Sequence, residues 1–284
     1  MGPFGVVFPG QGSQYPGMGQ DLYRRNQSVR ELFATAGEVL GRDMAALCFE
    51  GPQEALDLTA NTQIAVLMAD LAAWIAFSER VTKAPAVLAG HSLGEYAALF
   101  AAGAVGLRDV LSLVDLRGKY HQEAVPVGEG AMAAILGLPR AAVEELCRGI
   151  DREKNVVNLS IENAPGQIVV SGHAAAIDQV IAAAETKEGG RGVKLPISVP
   201  CHSPLLSQRR TGLPRRSRRS TSASAGFPLF PTAARASFIP GKSRGSCWPD
   251  RSPLPSGGRR RSRGSPRWAS TPSWSSARSG PSRD

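Results

Sequence analysis

The chain has 284 residues, enough for one large domain or two modest ones around a sizeable core. Its formal charge of +9 suggests a nucleic-acid partner at first sight. Residues 207–284 hold 17 of the 33 Lys+Arg and only 2 of the 24 Asp+Glu, so residues 1–206 carry a net −6 and a nucleic-acid role is excluded for them.

In chain order, Phe4–Phe8 is a short apolar run stopped by Pro9-Gly10, which predicts a buried strand running into a loop. Helical spacing over 29–40 and an Ala/Leu/Ile/Met-rich stretch over 62–77 predict two helices. Residues 86–90 form a second apolar strand that leads into His91-Ser92-Leu93-Gly94-Glu95 and then an Ala-rich helix over 96–104. Helix continues over 107–121. From about 125 the pattern changes: strand 131–136, helix 139–147 with Pro at its start, strands 156–161 and 167–171 around Ala164-Pro165-Gly166, helix 174–184, strand 192–199. That order is the split βαβ, ferredoxin-like pattern. The expected organisation is a large α/β domain from 1–124 and 197–206, with a small ferredoxin-like domain inserted at 125–196.

After Leu206 periodicity stops. The 78 residues that follow contain 16 Arg, 18 Ser, 10 Pro and 8 Gly, a composition that cannot bury a core and predicts disorder. The four cysteines lack paired spacing, which argues against a disulfide framework or a zinc site. No charged-then-apolar leader opens the chain and no apolar run of about 18 residues appears, so the expected setting is the cytoplasm, with no membrane partner.

Gly90-His91-Ser92-Leu93-Gly94 matches G-x-S-x-G. The pattern is common by chance, but here it lies where a predicted strand meets a predicted helix. A serine on such a bend exposes its oxygen, the glycines allow a tight backbone, and the N–H after the serine points at a developing oxyanion.

With this turn in place, four further motifs make the chain resemble the malonyl-CoA:acyl-carrier-protein transacylase family. They are Phe8-Pro9-Gly10-Gln11-Gly12-Ser13-Gln14, Asn61-Thr62-Gln63, Arg117-Gly118 followed by Gly130–Ile135, and Pro200-Cys201-His202-Ser203. The resemblance covers residues 4–206. It implies an α/β-hydrolase-like large domain with a parallel sheet. It also implies Ser92 as nucleophile, His202 as general base, and the backbone N–H groups of Gln11 and Leu93 as oxyanion hole. Arg117 would hold the free carboxylate of malonyl in a bidentate pair, and Gln63, His91 and Cys201 would line the substrate pocket. Malonyl-CoA and acyl carrier protein are the implied partners of a monomer that needs neither metal nor cofactor, because thioester and thiol are nearly equal in energy.

Several alternatives stay open. Arg117 could be a surface residue paired with Asp115 or Glu123. His121 reads as non-catalytic and His173 as a surface turn residue. The chemistry could serve polyketide rather than fatty-acid synthesis, or release the acyl group to water as a thioesterase or hydrolase does. The Arg-rich tail leaves room for nucleic-acid binding. The tail also reads as a frame shift: in the next frame Cys247–Gly258 can encode LAGPITSPVRW, and Trp268–Asp284 can encode GVDTVVELGPVGPVAG. Both strings resemble C-terminal motifs of the family. The resemblance implies that this replaced region would carry the group that orients His202, which puts the activity of the chain as written in doubt.

Overall fold

The computed structural model describes residues 2–150, 155–206 and 239–240, all within one compact unit spanning 1–248. Strand β1 (Gly5–Phe8) leads through α1 (Gln20–Arg25), α2 (Gln27–Leu40), α3 (Met44–Glu50), α4 (Gln53–Asp57) and α5 (Thr59–Arg80) to β2 (Val87–Gly90). β1 and β2 pair in parallel, from Gly5 opposite Val87 to Phe8 opposite Gly90. A parallel pair needs a long crossover, and the five helices supply it. Helices α6 (Gly94–Ala101) and α7 (Leu107–Ala124) follow β2 directly. This α/β arrangement with a parallel sheet meets the fold expectation at its coarser level.

The helices bury a core that includes Leu32, Leu67, Leu71, Leu88, Leu93 and Leu111. At its centre lies α5, apolar almost all round. By length and composition α5 could cross a membrane, but most of it is buried inside the protein, as a central core helix must be.

The second half forms a separate antiparallel sheet. Its elements are β3 (Gly130–Leu136), α8 (Arg140–Arg148), β4 (Val157–Ala164), β5 (Gln167–His173), α9 (Ala174–Glu185) and β6 (Arg191–Lys194), in the strand order β4-β5-β3-β6. Alternation along β3 sorts its side chains. Ala131, Ala133 and Ile135 face a cluster built with α8 and α9, including Val143, Ile177 and Val180. Met132 faces the other way and packs with Ile161, Val169, Val199 and Cys201. That second contact seats the 199–201 segment on the sheet.

The strand expected over 192–199 ends at Lys194. Leu195 still donates to the Met132 carbonyl at 2.9 Å, but Ile197, the next residue that could bond to β3, turns its N–H back onto the Leu195 carbonyl at 2.8 Å, so the chain leaves the ladder. Three short helices, α1, α3 and α4, went unpredicted because 5 to 7 residues show no resolvable period. A cap signal existed for α3: the Asp43 carboxylate accepts from the N–H groups of Ala45 and Ala46 at 2.9 and 3.0 Å. A two-residue strand β7 (Ile239–Pro240) pairs antiparallel with β2. The remaining expectations for residues 207–284, disorder and frame shift, lie outside the described residues.

Candidate active site

The turn between β2 and α6 is tight because two glycines let backbones meet. A Cβ on Gly94 would overlap the carbonyl oxygens of Phe8 and Pro9, and one on Gly90 would overlap the Gly94 and Glu95 backbone. His91 donates its N–H to the Phe8 carbonyl at 3.0 Å, tying the turn to the end of β1. Between the glycines Ser92 adopts φ 52°, a left-handed conformation that costs a non-glycine residue on the order of 1–3 kcal/mol. The bend exposes its oxygen ahead of α6, whose N-terminal N–H groups add a positive field.

His202 has the second such outlier, at φ 62°. Its Nε2 lies 2.9 Å from Ser92 Oγ, although 110 residues separate the two. Asn158 on β4 donates to the His202 carbonyl at 3.2 Å. For Nε2 to accept the serine proton, the ring must carry its own proton on Nδ1. That Nδ1 is buried and meets no hydrogen-bond partner among the described residues, an arrangement that costs about 1–3 kcal/mol.

Arg117 reaches the same point from α7. Its Nη2 donates to Ser92 Oγ at 3.2 Å, and its guanidinium carbon sits 5.8 Å from the centre of the Tyr96 ring. The structure corrects the alternative reading of Arg117 as a partner of Asp115. Asp115 pairs with Arg42 at 2.6 Å and Lys119 at 2.7 Å, because residues two apart on a helix point to different sides. Among the described residues no carboxylate ion-pairs with Arg117, so its fork is open toward the serine.

Burial first, then Arg117 and His91, push the His202 imidazole down from 6.5 to about 4. His202 is therefore neutral near pH 7, as a proton acceptor must be. Burial raises the Cys201 thiol to about 11 against the pull of Arg117, so Cys201 stays protonated and is no second nucleophile.

The other sequence-predicted residues surround this triangle at different depths. Gln11 follows β1, with its carboxamide held by Thr59 Oγ1 at 2.8 Å and by the Cys201 thiol at 3.7 Å. Among the described residues, the backbone N–H groups of Gln11 and Leu93 donate to no protein acceptor. Gln63 is fully buried, and its Nε2 lies 3.1 Å from His121 Nδ1. His91 stands at the rim, 2.9 Å from Asn163 Oδ1, where it borders a cleft of about 290 Å³ with Gln11, Met132 and Ile197.

The sequence reading missed Tyr96, Asn158, Asn163, Thr59 and Ser198 because no motif marks them. His121 does enter the network: Cys201 Sγ lies 3.8 Å from its Nδ1, and burial lowers it to about 3. His173 is not a surface turn residue. It ends β5 half-buried and accepts the Val156 N–H at Nδ1, 3.0 Å away.

The acyl transferase domain family matches residues 6–220. The chain belongs to that family. The chain is 45% identical over 206 residues to the malonyl CoA-acyl carrier protein transacylase of Escherichia coli (strain K12), covering 72% of the chain and 66% of that relative. It is 43% identical to the corresponding enzyme of Bacillus subtilis (strain 168), of which 65% is covered. The aligned part thus spans just under two thirds of each of these relatives. A solved malonyl CoA-acyl carrier protein transacylase from Coxiella burnetii superposes with a TM-score of 0.68 at 46% identity, covering 72% of this chain and 64% of that one. A malonyl-transacylase solved in complex with its type II PKS acyl-carrier protein gives a TM-score of 0.66 at 42% identity, over 70% and 64% of the two chains.

Proposed function

We propose that this acyl transferase moves a malonyl group from malonyl-CoA to the phosphopantetheine thiol of acyl carrier protein, through an ester on Ser92, in fatty acid biosynthesis. The observation that carries the reading is the meeting of Ser92 Oγ with His202 Nε2 at 2.9 Å and with Arg117 Nη2 at 3.2 Å. His202 takes the serine proton as Oγ attacks the thioester carbonyl, then returns it to the departing CoA sulfur. The carrier thiol reverses these steps, and the free enzyme is restored. The N–H groups of Gln11 and Leu93 stabilise the tetrahedral oxyanion. Arg117 turns its fork to the malonyl carboxylate. Acyl transfer between thiols needs no metal or cofactor.

The named relatives support malonyl as the group carried. The solved complex with a type II PKS acyl-carrier protein supports a carrier as acceptor and keeps polyketide synthesis as the second pathway. The strand order β4-β5-β3-β6 with two helices on one face supports an inserted ferredoxin-like domain over 125–196. A cytoplasmic monomer completes the proposal, and a shifted frame after residue 206 accounts for the tail; an unshifted frame in the DNA around codon 207 would overturn that last point.

The test is intact-mass measurement after mixing the protein with malonyl-CoA. A malonyl adduct is expected on Ser92, absent from Ser92→Ala and passed to added holo-carrier. Release as free acid without a carrier would instead assign a hydrolase.

A further inference from the structure

Helix α5 begins without a side-chain cap of its own. Its first N–H, on Thr59, is nonetheless satisfied: it donates to the hydroxyl of Ser198 at 2.9 Å, 139 residues away in sequence. The same hydroxyl lies 3.1 Å from Thr59 Oγ1 and 3.0 Å from Gln122 Oε1 on α7. Thr59 Oγ1 in turn accepts from Gln11 Nε2 at 2.8 Å. One proton order satisfies every contact: Gln11 N–H to the Thr59 hydroxyl, Thr59 O–H to Ser198, Ser198 O–H to Gln122.

This chain of hydroxyls joins four segments that approach the active site from different parts of the sequence. They are the Gln11 loop, the start of α5, the stretch leading into His202, and α7, which carries Arg117. The other end of the Gln11 carboxamide accepts from the Cys201 thiol, next to His202. Gln11 is thereby held from both sides, by α5 and by the histidine segment. The loop beyond it is tied as well. Gln14 accepts the Gly12 N–H at 2.8 Å and donates to Asp57 at 2.9 Å and to the Pro196 carbonyl at 3.5 Å. Thr59 is fully buried, so water cannot stand in freely for a lost hydroxyl.

We propose that Thr59 and Ser198 are positioning residues that fix the register of the Gln11 loop against the His202 segment. The inference rests on the reading above that the Gln11 N–H helps hold the oxyanion. Neither hydroxyl touches the reacting atoms. Each acts through Gln11, whose backbone N–H must meet the oxygen only as the tetrahedral intermediate forms. Loss of the hydroxyls therefore slows the chemical step and leaves substrate binding nearly unchanged.

The experiment measures covalent labelling of Ser92 in the full chain by a simple fluorophosphonate, which needs the serine, the histidine and the oxyanion donors but no carboxylate recognition. Thr59→Val keeps shape and removes the hydroxyl; Ser198→Ala removes its partner; Thr59→Ser restores the relay. Thr59→Val and Ser198→Ala are expected to lower the maximal labelling rate about tenfold or more, with half-saturating probe within about twofold. Thr59→Ser is expected to recover to within about threefold of the parent. Parent-like rates in both hydroxyl-free variants, loss seen only in half-saturation, or no recovery with Thr59→Ser would each overturn the proposal. If Thr59→Val does not fold, Ser198→Ala and Thr59→Ser decide it. A parent that takes the phosphonate but no malonyl defeats the malonyl reading and leaves this test intact.

Discussion

Replacing Arg117 with Met asks whether the guanidinium sets the basicity of His202. The imidazole lies at about 4 instead of 6.5, with burial the largest cause, Arg117 second and His91 third. Since burial outranks the guanidinium, removing the charge returns less than half of that interval. His202 in the variant then titrates above 4 and still below 6.5, because its burial remains. At about 1.4 kcal/mol per tenfold change, the electrostatic share of Arg117 is under about 1.7 kcal/mol. Met keeps an unbranched aliphatic stem in place of the arginine's, so the change removes charge more than volume. The assay is the pH dependence of Ser92 phosphonylation between pH 3.5 and 8, which requires neutral His202. The parent's acid limb is expected near 4 and the variant's above it. Stability must be followed at each pH. His202 and His121 are both depressed in the folded state, so the stability they contribute is full above 6.5 and is lost as pH falls through 6.5 toward 4 and 3. An acid limb that stays put in the variant, or a parent limb near 6.5, would refute the electrostatic reasoning.

Two further outcomes follow from the core and the turn. Asp70 is 6% exposed on α5, and burial raises its carboxyl to about 8 from 3.8. A raised carboxyl holds its proton in the folded state, so stability is full below 3.8 and is lost as pH rises through 8. Asp70→Asn is therefore expected to gain urea resistance over the parent progressively from pH 5 to 9; a constant difference would rule out a buried neutral acid. Gly94→Ala forces a methyl onto the Phe8 and Pro9 carbonyls, and a loss of about 3 kcal/mol or failure to fold is expected in urea unfolding. A variant as stable as the parent would show that the turn relaxes.

Much of this protein could be read along the chain because the signals are local. An apolar run stopped by Pro9-Gly10, an Ala-rich stretch after Gly94, and alternation over 131–136 are set by neighbouring residues, and the longer helices and all the expected strands but the last appear near where they predict. Ser92 was visible for the same reason: a glycine-flanked serine between strand and helix is a property of five consecutive positions. His202 and Arg117 were legible only through resemblance, since nothing within their own segments distinguishes them from structural residues.

The sequence by itself placed a glycine-flanked serine between a strand and a helix and marked most of the segments that fold as helix or strand, because side-chain type and spacing act over a few residues. Tertiary structure alone decided that Arg117 faces Ser92 while Asp115 binds Arg42 and Lys119, since a helix turns successive residues to different sides. It alone decided that Ser198 caps α5 from 139 residues away and that Cys201 grips Gln11. Such contacts depend on how sheets and helices stack, and a hydroxyl in the chain carries no mark of the partner that packing will bring to it.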